Sequence, residues 1–536
     1  MKLQIKEHIF NNKTAHSAIK YMAVFLVSFL FLLVFSLWTS PFYKNWYGCD
    51  ASFFTMAGRA ILNGYVPYRD FFDLKGPYFF FIEALGQLIV KGRTGAFVMQ
   101  VLALFATLII MIKTCRLFLS CKKTTVIISL FLFFHASTLW GGNTLEEFML
   151  PLNLLAIYLT VKDIKGNARI RPLTAMITGG CFGVILFAKV TVGAPIIGLV
   201  IAIIIYFTRS KRIFELVSYL IYALFGVLIA ITPVFIYFYY HKTLTDMLYA
   251  VFVFAFKRSL EGDKYDIHNE LKISGCYFAM IFALCQVDYK RGVLKLRELI
   301  SGKNHKIHIE KSDNVDASVE IENKFAGKQL ICGEFREFVL VAIFTMGFIT
   351  AITLHFGDPF IYYFTTAYPI FMLTMIVMFV LYDPLTLLKS WRLDIPVAAF
   401  LVFLCYFASH TSNQINTVLF DRGNTYYQTY VDKANEMASL IPECDKDSVY
   451  SINMDMQWFE CNNILPCYSY TINLQFFVSL DNQIEQNIIK RLKTDPPKWI
   501  VIGGDLSSYL PNINDVVMPM YSEVYENEYG ALYLLD

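Results

Sequence analysis

The sequence predicts an α-helical polytopic membrane protein, with about eleven transmembrane helices and a small C-terminal extracytoplasmic α/β domain. Three observations carry this expectation. Hydrophobic residues make up 56% of the 536-residue chain and charged residues only 17%, with a mean hydropathy of +0.49. Soluble domains run near 45–50% apolar and about 25% charged. The apolar residues fall into long runs separated by short loops, and the basic residues collect in every second loop. After residue 409 polarity rises, and helix-like and strand-like periods alternate as in a soluble unit.

Residues 1–20 form a cytoplasmic N-terminus carrying Lys2, Lys6, Lys13 and Lys20. They precede an apolar run at 21–39, about 19 residues, which is long enough to cross a bilayer. No small-residue cleavage site follows, so the run reads as an uncleaved first helix at 21–40. Basic residues favour the cytoplasmic side, which places the 41–93 loop outside. The apolar run at 78–90 is about 13 residues long, and a run of that length suits a re-entrant or interfacial helix rather than a span. Pro77 fits the first turn of such a helix. Further spans follow at 94–119, 124–140, 147–161, 173–188, 190–208, 216–240, 271–288, 337–354, 363–382 and 393–409.

On this count the inner loops hold Arg116, Lys122 and Lys123, then Lys162, Lys165, Arg169 and Arg171, then Arg209, Lys211 and Arg212, and finally Lys389 and Arg392. The outer segments 141–147 and 355–362 hold no Lys or Arg. Treating 78–90 as a span would invert everything after it and break that pattern. The transmembrane domain is therefore 21–409, and the C-terminus lies outside.

Segment 289–336 has mixed charge and few aromatics and reads as a flexible cytoplasmic insert. The tail, 410–536, reads as a helix at 424–440, a strand at 448–452, a helix at 483–492, a strand at 498–502 and a hairpin of 521–526 with 531–535. Cys461 and Cys467 could pair in an exported tail, leaving Cys444 over. The basic residues form no single patch, which excludes a nucleic-acid partner. The cysteines show no metal-ligand spacing; no cofactor is called for, and a divalent metal is compatible with the acids but not indicated by them.

Charge density singles out residues 41–93. Asp50, Arg59, Arg69, Asp70, Asp73 and Lys75 stand here beside a membrane, where ionisable groups are costly and mark function by default. Residues 51–63 read as an amphipathic helix, with Phe53, Met56, Ala57, Ala60 and Ile61 on one face and Ser52, Thr55, Arg59 and Asn63 on the other. Asp50 stands at its N-cap and Gly64 past its end. Asp50 is either that cap or a carboxylate that orients or deprotonates an acceptor, and the two roles are compatible. Lys75, just before a helix start, is either a snorkelling lysine or a phosphate ligand. Glu146 and Glu147 open a span on the same outer side, where acids also complement the helix dipole. Lys189 interrupts an otherwise apolar stretch and is the sharpest single signal. Tyr363 belongs to a late aromatic outer loop. Residues alone lead to an enzyme or transporter of an anionic lipid-phase substrate.

The stretch from Asp50 through 54–64, 66–70 and 73–77 resembles the first outer loop of GT-C glycosyltransferases. The nearest groups are the RgtA/B/C/D-like branch, the protein O-mannosyltransferases and the lipid A aminoarabinose transferases. Residues 183–189, ending at Lys189, are similar to that family's lysine after span 5, and 362–369 to its late Tyr-to-Pro segment. The resemblance covers roughly 20–410. It implies a polyprenyl-phosphate sugar donor drawn from the membrane lipid, an extracytoplasmic acceptor and an inverting transfer. Asp50 would be the acceptor-side base, and Lys75, Lys189, Tyr363 and Arg59 would hold the donor phosphate. The chain departs from the pattern at Ala51, where several relatives carry a second acid; Glu146 and Glu147 are the candidates to replace it. Lys257 and Arg258 are the candidates for the family's arginine in 241–270. A competing reading is a transporter or flippase of a lipid-linked glycan, which predicts inverted repeats and mid-membrane charges. No clear repeat is present, and the charges gather at one face.

Overall fold

Apolar runs become helices because a helix satisfies every backbone polar group within its own segment, as a lipid environment demands. The computed structural model describes residues 2–261, 267–286, 333–355, 360–381, 405, 408–413, 415–418, 425–471 and 474–536. The expected insert at 289–336 and the span at 393–409 lie almost wholly outside these residues. The helices that matter below are α1 (Lys2–Phe35), α2 (Cys49–Leu62), α3 (Pro77–Ile89), α4 (Arg93–Arg116), α5 (Cys121–Thr138), α6 (Leu145–Asn167), α7 (Pro172–Leu186), α8 (Ala194–Arg209) and α9 (Ile213–Tyr240). They are followed by α10 (Ile267–Gln286), α11 (Glu334–His355) and α12 (Tyr368–Leu381).

Among the described residues, six segments are long and apolar enough to cross a membrane: Ser17–Phe35, Arg93–Arg116, Val190–Arg209, Ile213–Tyr240, Glu334–His355 and Ile361–Leu381. Helices α5, α6, α7 and α10 stand at four more of the expected positions, α7 and the apolar part of α10 being short. Helix α9 leaves Leu224, Phe225, Ile229 and Ile236 exposed on one side. Such a continuous apolar face is a lipid-facing surface when its helix is of spanning length. Helix α3 has 13 residues, about 20 Å at 1.5 Å per residue, and Pro77 occupies its first turn as the sequence suggests.

The C-terminal unit is built on a four-stranded sheet of order β1-β2-β4-β3, with β1 (Val449–Ile452), β2 (Trp499–Ile502), β3 (Tyr521–Asn527) and β4 (Gly530–Leu535). Strands β1 and β2 are parallel, and β4 pairs antiparallel with both β2 and β3. Both parallel strands are buried along their whole length, as expected of a sheet covered on two faces. Helices α13 (Thr425–Ser439), α14 (Gln457–Cys461) and α15 (Asn482–Thr494) accompany the sheet. Cys461 and Cys467 are free thiols. The Cys461 sulfur lies 3.5 Å from the Trp458 carbonyl of its own helical turn, while the Cys467 N–H is committed to the Val449 carbonyl at 2.9 Å.

The 41–93 loop is where the two parts meet. Helix α2 packs on α3 from one side and on α14 from the other. Its expected polar face is therefore covered: Ser52 and Thr55 are buried. The helix begins one residue before Asp50, with Gly48 at the N-cap, so Asp50 sits in the first turn rather than capping it. Arg59 donates to the Asn463 side chain at 2.7 Å and to the Ile464 carbonyl at 2.9 Å, and its guanidinium lies 3.5 Å from the Glu460 carboxylate. The Phe72 N–H donates to the Ser469 carbonyl at 2.9 Å, and the Phe72 ring packs among Phe254, Tyr470 and Phe477.

Burial pushes the Glu460 carboxyl up to about 7, against the pull of Arg59 and Arg93. A carboxyl raised above its unfolded value stabilises the docked state fully below that unfolded value and loses the contribution as pH rises through about 7. The thermal midpoint of the purified protein should therefore fall between pH 5 and pH 8. Glu460→Gln should flatten that slope; an unchanged slope in the variant would assign the pH dependence elsewhere.

Candidate active site

A cavity of about 250 Å³ lies where α2, the start of α3, the start of α6 and the break after α7 converge. Asp50, Lys75, Glu146 and Lys189 all line it, together with Trp38, Trp140, Asn143, Phe360 and Tyr362. The four ionisable residues are up to 139 positions apart in the chain, so backbone contacts must bring them together.

The main contact is a pair of backbone hydrogen bonds. Helix α7 ends at Leu186 and a 3₁₀ turn resumes at Val190, leaving Lys189 extended between them. The Gly76 N–H donates to the Ala188 carbonyl at 2.7 Å and the Tyr78 N–H to the Phe187 carbonyl at 3.3 Å. A Cβ at Gly76 would stand 2.1 Å from the Phe187 carbonyl oxygen, so only glycine permits this approach. Tyr68 adds a second restraint, its hydroxyl donating to the Lys75 carbonyl at 2.8 Å.

Each lysine is held by acids and by an aromatic face. The Lys75 ammonium is 3.3 Å from the Asp73 carboxylate, 4.0 Å from Asp50, and 4.7 Å from the Phe54 ring centre. The Lys189 ammonium donates to Glu146 at 2.8 Å and lies 3.8 Å from the Tyr363 ring centre. Burial disfavours the Lys75 ammonium, but Asp73 and Asp50 outweigh it and hold its pKa above the usual lysine value. Lys75 is a permanent cation at any physiological pH.

The carboxylates differ sharply in access. Asp50 is 46% exposed, Asp73 8% and Glu146 2%. A group that exchanges a proton with a substrate must be accessible to it, and of these three only Asp50 is more than marginally exposed. Glu146 is engaged with Lys189 and positions it. Glu147 has a different task. It accepts from the Thr144 N–H and hydroxyl at 3.0 and 2.8 Å, closing the capping box of α6, and from the Gln100 side chain at 2.7 Å. Gln100 in turn accepts from the Ser36 and Thr39 hydroxyls. This buried network ties α1, α4 and α6 together and leaves Glu147 outside the cavity wall.

Arg59, expected among the phosphate ligands, is engaged elsewhere: its side-chain hydrogen bonds and ion pair are with the C-terminal unit. Lys257 and Arg258 also meet that unit, Lys257 at 3.5 Å from Asp481 and Arg258 over the Phe476 ring. Sequence reading missed Trp38 and Asn143, which line the cavity without any charge to mark them. Among the described residues, no group of three or more His, Cys, Asp or Glu side chains could hold a metal ion.

No family model matches the chain, and no curated protein matches it. Two crystal structures of ArnT from Cupriavidus metallidurans are similar to it, one bound to undecaprenyl phosphate at a TM-score of 0.46 and one in the apo state at 0.48. Each is 11% identical, and the match covers 97% of this chain and 98% of theirs. At that identity and those TM-scores, the likeness assigns no substrate, reaction or residue to this chain.

The Gly76 contact makes a direct prediction. Gly76→Ala should destabilise the protein by about 1–3 kcal/mol, the usual range for overpacking, read as a lower thermal midpoint. Gly166→Ala makes the control, since no atom stands within 4 Å of its Cβ position and its φ is not left-handed. Equal midpoints for the two variants would refute the close approach.

Proposed function

We propose that the chain is a membrane glycosyltransferase that moves a sugar from a polyprenyl-phosphate donor to an extracytoplasmic acceptor, with inversion at the anomeric carbon. One observation carries the reading: two lysines from distant segments line one cavity together with a half-exposed carboxylate, Asp50. Paired ammonium groups in a water-poor site match a phosphate, and the carboxylate matches an acceptor hydroxyl. The enzyme sits in the plasma membrane as a multi-pass protein, with the N-terminus cytoplasmic and the C-terminal unit extracytoplasmic. The basic inner loops support that orientation.

In this mechanism Lys75 and Lys189 bind the donor phosphate, and Phe54 and Tyr363 shield them from solvent. Asp50 accepts the proton of the acceptor hydroxyl as its oxygen attacks the anomeric carbon. The bond between that carbon and the phosphate oxygen breaks, and polyprenyl phosphate departs with the electron pair. The charge gathering on the leaving phosphate meets two ammonium groups already in place, so little reorganisation accompanies the step. One displacement on one face inverts the configuration.

The test is transfer in reconstituted vesicles from a polyprenyl-phosphate sugar, read together with binding of undecaprenyl phosphate. Asp50→Asn should lower turnover by roughly 10²–10⁴, the range for a general base, and leave phospholipid binding intact. Lys75→Ala and Lys189→Ala should each weaken phospholipid binding by at least about tenfold. Unchanged turnover in a folded Asp50→Asn protein would falsify the role given to Asp50.

A further inference from the structure

A second cavity, of about 440 Å³, opens in the C-terminal unit. It lies beyond the carboxyl ends of the parallel strands β1 and β2. Asn453 to Asp455 leave the first strand there, and Gly503-Gly504 leave the second. Open α/β sheets place ligands beyond the carboxyl ends of their strands. The local backbone is shaped to keep the space clear. Asn453 and Gly504 both adopt left-handed φ, 53° and 73°. A Cβ at Gly503 would stand 2.4 Å from the Asn453 carbonyl oxygen. The floor is therefore bare peptide.

The walls combine two kinds of group. Phe476, Tyr509 and Tyr529 supply aromatic rings, and Asn453, Asp455 and Gln475 supply polar side chains. Among the described lining residues none is basic, in contrast to the lysine cavity next door. Aromatic faces accept the C–H side of a sugar ring, while amides and a carboxylate take its hydroxyls. The one charged side chain in the lining is the Asp455 carboxylate, which suits a neutral or amine-bearing ligand better than an anionic one. The position is equally specific. Cys49 lines both cavities, and the next residue is Asp50. The Asp455 carboxylate lies beside the Cys49 thiol, and both line this cavity. Burial and Asp455 push that thiol up to about 12, so Cys49 is a wall and not a nucleophile.

We propose that this cavity is the acceptor subsite, holding an uncharged or amine-bearing saccharide whose hydroxyl passes Cys49 to reach Asp50. The inference rests on the transferase reading and adds the chemical class of the acceptor. The full-length chain in lipid nanodiscs is probed by saturation-transfer NMR with mannose, galactose, N-acetylglucosamine and glucosamine. At least one sugar should bind. Tyr509→Ala and Gln475→Ala should weaken it by about tenfold, Tyr509→Phe should retain it, and Asp455→Asn should act most on glucosamine. Tyr509 is 49% exposed, so its removal leaves the core intact. Undecaprenyl phosphate binding should stay within about twofold in all four variants. Absence of binding by every sugar, or binding indifferent to Tyr509 and Gln475, overturns the proposal. Failure of undecaprenyl phosphate to bind the wild-type chain, with sugar binding still dependent on Tyr509, would instead remove the donor assignment and leave this site standing.

Discussion

Two backbone hydrogen bonds organise the lysine-bearing cavity of this protein. They join Gly76 and Tyr78 to the carbonyls of Ala188 and Phe187, across a gap in the helix ladder after α7. A continuous helix through 186–190 would have used those carbonyls internally and turned Lys189 toward its own neighbours. Broken there, the chain offers two acceptors to the 41–93 loop and frees Lys189 to extend into the cavity. The missing side chain at Gly76 permits the approach, and Lys75 is carried in beside it. Two cations are thus brought together by main-chain bonds, which do not depend on the charge state of anything in the site.

The adjacent glutamates at the start of α6 show how one helical step separates two roles. Glu147 turns back to its own N-terminus, fills the capping box and accepts from Gln100. Glu146 turns to Lys189. Both are buried, but only Glu146 borders the cavity. The first orders the polar core between helices and the second holds a cation. Burial without access suits both tasks, and neither suits proton exchange with a substrate. Of the carboxylates beside the two lysines, Asp50 alone is substantially exposed.

Much of this was legible from the chain alone. Charge next to apolar runs marked Asp50, Lys75, Glu146 and Lys189, because a charge in such surroundings needs a partner. The length of 78–90 marked α3 as too short to span. In the C-terminal unit the four strands and the helices at 425–439 and 482–494 followed from their periods, while the short helices between them did not. Other features were hidden for a physical reason. Periodicity shows which face of a helix is polar but not what covers it, so α2 looked half-solvated and Arg59 seemed available for phosphate. In the fold, residues some 400 positions later close over that face. The pairing of 76–78 with 187–188 uses main-chain groups and leaves no trace in side-chain pattern beyond the glycine.

Helix α2 has its two ends in different company. Its last turns are gripped through Arg59 by the loop after α14, and its first turn carries Cys49 and Asp50 to the meeting point of two cavities. Fourteen residues of helix make a strut of about 20 Å. A strut transmits displacement: any tilt of the sheet-bearing unit against the helical part would swing the carboxylate of Asp50 relative to Lys75, which is anchored from the opposite side. Loading of the distal unit and alignment of the reacting groups would then be a single mechanical event.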